Sequence, residues 1–271
     1  MTALTRAARA GSLRKYLAVA TLALRQRRDE RGVLLARALL LALFVLIFSR
    51  LWSAVLPASG ARAHAAVDYV WYLAITEWIV LSQPQLYLEI EREVRSGDIA
   101  YHMSRPISYI ADKLVQTLAE LLLNLTVLAV AAFASALALS GDLPSEPRGL
   151  LLALPLAAMA SVLLALAHTL IGVSAFWLID CAPIYWIFQK CSFVLGGMLV
   201  PLELYPHWLR TVALASPFSA LLHGPGSMAL GYQPALFWAT ALRLALFFAL
   251  AVSLLPWLAR RGLHALDIHG G

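Results

Sequence analysis

Residues Val33–Leu56, VLLARALLLALFVLIFSRLWSAVL, carry only two charges, Arg37 and Arg50, and no acid. A helix needs about 20 largely apolar residues to cross the hydrocarbon core of a bilayer, so this stretch reads as a membrane span. Five more runs of the same kind follow, at Val67–Leu88, Leu114–Leu139, Leu150–Leu170, Pro183–Val200 and Ala235–Leu258. The fourth stays uncharged as far as Ile179. Gly172–Cys181 is therefore read as its inner end plus an interfacial turn, with Asp180 capping the helix that Pro183 opens. The predicted fold is an all-α integral membrane protein of six transmembrane helices, one membrane domain over residues 1–271.

Composition agrees. The chain is 61% apolar and 13% charged, with a mean hydropathy of +0.77, against about 45–50% and 25% in soluble domains. So little charge cannot cover so much apolar surface in water. The net charge of +6 does not point to nucleic acid. Arg6, Arg9, Arg14, Lys15, Arg25, Arg27, Arg28 and Arg31 all precede the first span without aromatic or glycine interleaving, as topology-setting charge beside anionic lipid does. With the N-terminus inside, sixteen Lys and Arg fall on the inner side and four on the outer, Arg50, Arg62, Arg148 and Arg210. That bias predicts both termini in the cytoplasm. Trp52, Trp71, Trp208 and Trp238 then fall near the outer interface, and Trp177, Trp186 and Trp257 near the inner one. No cleavable signal peptide is expected.

Thr5–Arg28 has an amphipathic helical pattern, with Tyr16, Leu17, Val19, Ala20, Leu22 and Leu24 beside Arg14, Lys15 and Arg25, and is predicted to lie along the inner leaflet. Pro201–Pro234 is too apolar for a solvated loop and too broken for a span. Trp208–Ser216 and Pro217–His223 are short helices interrupted at Pro217 and at Gly224-Pro225-Gly226. Such backbone survives at membrane depth only under protein cover, so a re-entrant helical pair dipping in from outside is expected.

Chemistry is sparse. GxxxxGK[ST] and HExxH are absent, no Cys/His spacing suits a metal, and the chain is not expected to hydrolyse ATP by itself. His168 and Ser174 stand six apart, about 240° around a helix, so they make no catalytic pair; a polar lining or a helix–helix hydrogen bond suits them better. Cys181 and Cys191 read as small buried apolar groups. Arg37 and Lys190 can snorkel to the inner surface. Glu77, Glu120 and Arg243 fall at membrane depth, where an unpaired charge costs at least about 2.5–3.5 kcal/mol. They read either as a translocation lining for a polar or cationic cargo or as interhelical pairs, Glu77 with Arg243 for instance.

The only dense polar run between spans is Glu89–Pro106, EIEREVRSGDIAYHMSRP. Its two signs are closely mixed, Gly97 breaks it, and Arg105-Pro106 ends it. It suits either a helix that docks into a groove on a soluble partner or a solvated loop.

Glu93-Val94-Arg95-Ser96-Gly97-Asp98-Ile99-Ala100 followed by Arg105-Pro106 resembles the first cytoplasmic loop of ABC-2 type exporter permeases. Phe176-Trp177, Gly196-Gly197, Pro201-Leu202, Tyr205-Pro206, Trp208-Leu209, Pro217-Phe218 and Pro225 resemble the second half of one six-span branch, that of daunorubicin- and viologen-type exporters. The resemblance covers essentially the whole chain. It implies a type V exporter-like fold in the cell's inner (plasma) membrane, in which two permeases, identical or related, pair above two separate ABC ATPase subunits. ATP and Mg²⁺ would sit on the ATPases and no cofactor on this chain. It implies a coupling helix at Glu91–Tyr101, with Glu91, Glu93, Arg95, Gly97, Asp98, Tyr101 and Arg105 as contact residues and Thr5–Arg28 touching the ATPase as well. The outer segment would close the exit through Pro201, Tyr205, Pro206, Trp208, Pro217 and Phe218. A proton- or cation-coupled secondary transporter using Glu77 and Glu120 is the alternative. Its mark, paired broken spans in two inverted halves, is not evident. An accessory subunit without transport of its own is a third reading, and the cargo is open.

Overall fold

A computed structural model describes residues 15–25, 31–55, 65–103, 108–178, 180–231 and 233–269. Every regular element among them is helical: α1 (residues 15–25), α2 (Arg31–Val55), α3 (Ala65–Leu81), α4 (Leu86–Ser96), α5 (Ile99–Met103), α6 (Tyr109–Ser140), α7 (Pro147–Val173), α8 (Ala175–Leu178), α9 (Ala182–Leu195), a 3₁₀ turn (Leu202–Leu204), α10 (His207–Ala215), α11 (Phe218–Leu221), α12 (His223–Ser227) and α13 (Pro234–His269). Arg105, Pro106 and the outer parts of the expected Thr5–Arg28 helix lie outside the described residues.

Small residues let the long helices approach closely, as membrane helices require. Leu41, Val45, Ser49 and Trp52 form the buried stripe of α2; Leu128, Ala132 and Ala136 that of α6; Ala153, Ala157 and Ala160 that of α7. α3 is buried all round from Val70 to Ile79 and packs against α2, α6 and α7. Large apolar side chains cover the outside instead: Leu39, Leu122, Val130, Leu151 and Ile187 are each more than 60% exposed. In water such a surface would aggregate; a lipid solvent accepts it.

Among the described residues, five stretches are long and apolar enough to cross a membrane: Arg31–Val55, Ala65–Ser96, Tyr109–Ser140, Pro147–Leu178 and Pro234–Leu263. The expected fifth span, Pro183–Val200, forms a helix of only 14 residues, α9, about 21 Å at 1.5 Å per residue. Gly196-Gly197 ends it, with Gly197 at φ 65°. The expected second span also ends early, at Leu81, because Pro84 and the bend around it separate α3 from α4.

The outer segment differs in detail from its sequence pattern. Gly224-Pro225-Gly226 does not interrupt a helix but lies within α12, since a proline in a first helical turn removes an N–H that has no partner there anyway. The expected aromatic belt is partial. Trp177, Trp186, Trp208, Trp238 and Trp257 are exposed, but Trp52 and Trp71 are buried. Trp52 lies against Tyr69, ring centres 5.1 Å apart and planes tilted by 38°, and Trp71 donates to the Asp142 carbonyl.

Candidate functional site

The polar run folds into α4, a turn at Gly97, and α5. Gly97 takes φ 78° and closes α4 through its N–H to the Val94 carbonyl, a left-handed cap that glycine adopts without a Cβ clash. Positions 89 and 93 share one face of α4, and positions 91 and 95 another. Each pair meets a different part of the bundle.

On the first face, Lys113 of α6 donates to Glu89 Oε1 and to Glu93 Oε1, each at 2.6 Å, with its side chain 2% exposed. Tyr109 donates to Glu93 Oε2 at 2.7 Å, and His102 Nε2 lies 3.6 Å from Glu93 Oε1. On the second face, Glu91 Oε2 accepts from the Cys181 backbone N–H and from its thiol, both at 3.1 Å. Arg95 bridges Glu91 at 3.3 Å and Asp180 at 3.5 Å. Asp180 also accepts the Ala182 N–H that opens α9. Burial first, and the Glu91 hydrogen bond second, push the Cys181 thiol up to about 12. Cys181 is thus a hydrogen-bonding member of the junction rather than apolar filler, and Cys191 is only partly buried.

α4 is therefore latched twice, to α6 by a buried cation between two carboxylates and to the α8–α9 junction by Glu91. Of the expected coupling residues, Glu91 and Glu93 turn inward, while Arg95, Gly97, Asp98 and Tyr101 are exposed, Tyr101 at 65%. Arg92 and Ser96 are exposed beside them. Lys113, Tyr109 and Cys181 are latch members that a reading of the polar run alone misses. Lys113, at the threshold of the third apolar run, was the available signal.

The intramembrane charges do not pair as expected. Arg243 donates to the Leu214 and Ser216 carbonyls at the end of α10, not to Glu77. Exposed carbonyls at a helix C-terminus attract a cation more cheaply than a distant acid. Glu77 is fully buried, and neither of its oxygens has a hydrogen-bond partner among the described residues. Glu120 lines a cavity of about 400 Å³ with Glu89, Arg92, Gln116 and Ala23 of α1. Arg37 does not simply snorkel; it donates to the Leu81 and Gln83 carbonyls at 3.3 and 3.2 Å and caps α3. Lys190 stands over the rings of Trp186 and Phe193 at 5.3 and 5.6 Å.

At the opposite end, Pro201 opens the 3₁₀ turn, Pro206 opens α10 and Pro217 opens α11. Tyr205 donates to the Val194 carbonyl at 2.8 Å and Phe218 meets Phe188 edge-on at 5.4 Å, tying the segment back to α9. Trp208 is 68% exposed. α3 holds the turn after α9, with Tyr72 donating to the Gly197 carbonyl and Thr76 to that of Met198. His223 of α12 lies 3.5 Å from Glu203 and 3.4 Å from the Tyr72 hydroxyl. Tyr72 and Thr76 come from a helix more than a hundred residues earlier, so no local pattern announces them.

The described residues hold no cluster of three or more His, Cys, Asp or Glu suited to a metal ion. Compared with models of known protein families, residues 34–270 match the ABC-2 family transporter protein. No curated protein matches the chain.

Proposed function

The chain belongs to the ABC-2 transporter family, and from that premise we propose that it is the permease subunit of an ATP-driven exporter. Two such subunits, identical or related, pair in the inner membrane above two ATPase subunits that bind ATP and Mg²⁺. The charge bias supports cytoplasmic termini, so α4 and α5 face the ATPase. α9 with the segment after it makes the fifth of six crossings, and α10–α12 form the re-entrant outer gate. α1 lies along the inner leaflet beside α4.

The observation that carries this reading is the two-sided latching of α4. A helix fixed on two faces and exposed on a third acts as a lever rather than a loop. The partner grips Arg92, Asp98 and Tyr101 outside. The Lys113 latch passes the displacement to α6 and the Glu91 latch passes it to α9. ATP closes the partner dimer, and the permeases rock to open a path between them. Nucleotide shifts that equilibrium only through a difference in how the partner binds the two permease states.

Asp98→Lys tests the docking face, because the Asp98 carboxylate hydrogen-bonds the Ser96 hydroxyl within the turn and neither latch, so its replacement leaves both latches in place. Stimulation of the co-purified ATPase should fall to the level of the ATPase alone, with membrane insertion unchanged. Normal stimulation in Asp98→Lys and in Tyr101→Ala would remove the assignment. Glu93→Lys is not equivalent, since it sets a second cation against Lys113 and disrupts the latch itself.

A further inference from the structure

α6 and α13 both pack on α7, and between them lies a groove of about 330 Å³. Ile110 and Leu114 of α6, Leu166 of α7, and Leu255 and Pro256 of α13 line it. Among the described residues of its lining only Ser108 and Arg260 are polar. Ser108 starts α6 and Arg260 lies near the end of α13, so both stand at one mouth, on the cytoplasmic side in the orientation proposed above. Val252, at the deeper end, is 46% exposed, so the groove opens sideways to its surroundings.

Those surroundings are lipid, and walls this apolar hold a tail rather than water. Lipid tails are as apolar as leucine, so the walls do not favour one lipid over another. Selection falls to the head, and the mouth carries one sign of charge. Arg260 is exposed and has no hydrogen bond or ion pair among the described residues, and its planar fork matches a phosphate. The Ser108 side chain does not cap α6, so its hydroxyl is available to the same anion. Asp112, one turn into α6, is buried, accepts from Gln116 and stays out of the lining. Arg261 differs from its neighbour. It stands about 100° further round the helix, with its guanidinium 4.1 Å above the ring of Trp257.

We propose that the groove holds one tail of an anionic phospholipid from the inner leaflet, its phosphate bound by Arg260 and Ser108. A zwitterionic lipid carries its own ammonium beside the phosphate and gains less from an unpaired arginine than a lipid with net negative charge. The site takes from the reading above only the placement of this end at the cytoplasmic leaflet, and not export itself.

The test uses the full chain in phosphatidylcholine vesicles with a trace of either of two photoreactive lipids. One is a phosphatidylglycerol and the other a phosphatidylcholine, with identical tails that carry the diazirine. Peptide mapping should place the phosphatidylglycerol on residues 108–114 and 252–263, about fivefold or more above the phosphatidylcholine. Arg260→Gln should bring the two signals together, and Arg261→Gln should leave the preference within about twofold of wild type. Val252→Trp, at an exposed position, should lower both signals at least about threefold by obstructing the tail. Variants are compared only if they elute from gel filtration as wild type, and Val252→Trp decides if Arg260→Gln does not. Equal labelling of the wild type by the two lipids, a preference that survives Arg260→Gln, or wild-type labelling in Val252→Trp overturns the proposal. A preference lost equally in Arg261→Gln overturns it as well, leaving a diffuse basic surface. Protein cross-links joining two copies through these residues, in place of lipid adducts, would assign the groove to a second copy and overturn it too. No nucleotide is present, so a chain that labels as expected but never pumps refutes the export reading alone.

Discussion

Cys181 turns one latch into a measurable rate. Its thiol is raised to about 12, so at pH 8 the reactive thiolate is on the order of 10⁻⁴ of the population, against about a quarter for an ordinary cysteine. The shift is upward on an acid, so reactivity appears only as pH climbs toward that value. Iodoacetamide at pH 8 should modify Cys181 at least about a hundredfold more slowly than free cysteine, and Glu91→Ala should raise the Cys181 rate about tenfold or more. A mass-spectrometric time course reads both. An unchanged rate in Glu91→Ala would mean that burial alone protects the thiol and that the Glu91 contact holds nothing. Glu77 has the opposite character, a buried carboxyl without a hydrogen-bond partner among the described residues. Glu77→Gln keeps the shape and removes the ability to ionise, and ATP-driven transport is expected to stay within about twofold of wild type. Complete loss of transport would favour cation coupling through this residue. Much of this scale was legible. The i, i+4 spacing of Glu89 with Glu93 and of Glu91 with Arg95 was in the sequence, and so was a lysine at the threshold of the third apolar run. Which face turned inward was not, because the partners, Lys113 and Cys181, lie 20 and 90 residues away and nothing local sets that register.

At the scale of elements, α4 rides on α7 over Gly172. A Cβ at Gly172 would come within 2.8 Å of Ile90 Cδ1 and 3.2 Å of the Tyr87 Cα. Gly172→Ile therefore wedges α4 off α7, at about 1–3 kcal/mol for overpacking, while the exposed face of α4 keeps its side chains. The partner should still co-purify in wild-type amount, with its stimulation lost. Retained stimulation would show that α7 is not in the transmission path. Lys113→Met makes the complementary cut, leaving Glu89 and Glu93 without the lysine they share. Breaking such a pair costs about 3 kcal/mol, the lower end of the range because Glu89 is half-exposed. A fall in thermal midpoint together with lost stimulation is expected, and Lys113→Arg should restore part of both; full activity in Lys113→Met would leave the α6 latch without a role. The long helices were legible from hydropathy because lipid sets a length that water does not. The shortness of α9 was not, since Pro183–Val200 is apolar enough to read as a span despite Gln189, Lys190 and Ser192, and the helix ends at Gly196-Gly197, where Gly197 turns left-handed. Pro84 marked the break between α3 and α4, yet the apolar residues on either side of it made one run of hydropathy.

For the whole molecule, the ends of the bundle differ in charge as the orientation rule requires. Arg31, Arg37, Arg92, Arg95, Lys113, Lys190, Arg260 and Arg261 gather toward the end where α4 lies, and Arg148 and Arg210 toward the end where α10 lies. Each Lys or Arg near an anionic leaflet contributes about 1 kcal/mol, so inverting the chain is costly even after generous discounting for screening. α9 is the weak point of this topology, because 14 residues cover only about two-thirds of a 30 Å core. On the six-crossing proposal, the turn that Tyr72 and Thr76 hold and the packing of α11 and α12 against α3, α7 and α9 would complete the crossing. A cysteine scan separates six crossings from five in cells carrying a chain free of Cys181 and Cys191. Ser96→Cys and Arg260→Cys should react with an impermeant maleimide only after the membrane is opened, and Trp208→Cys should react in intact cells, with a contrast of about tenfold. If Trp208→Cys is shielded and Arg260→Cys reacts from outside, α9 does not cross. The carboxyl end then lies opposite to the coupling helix, and a lever beneath the membrane no longer acts on α13 through the contact of Phe176 with Gly262.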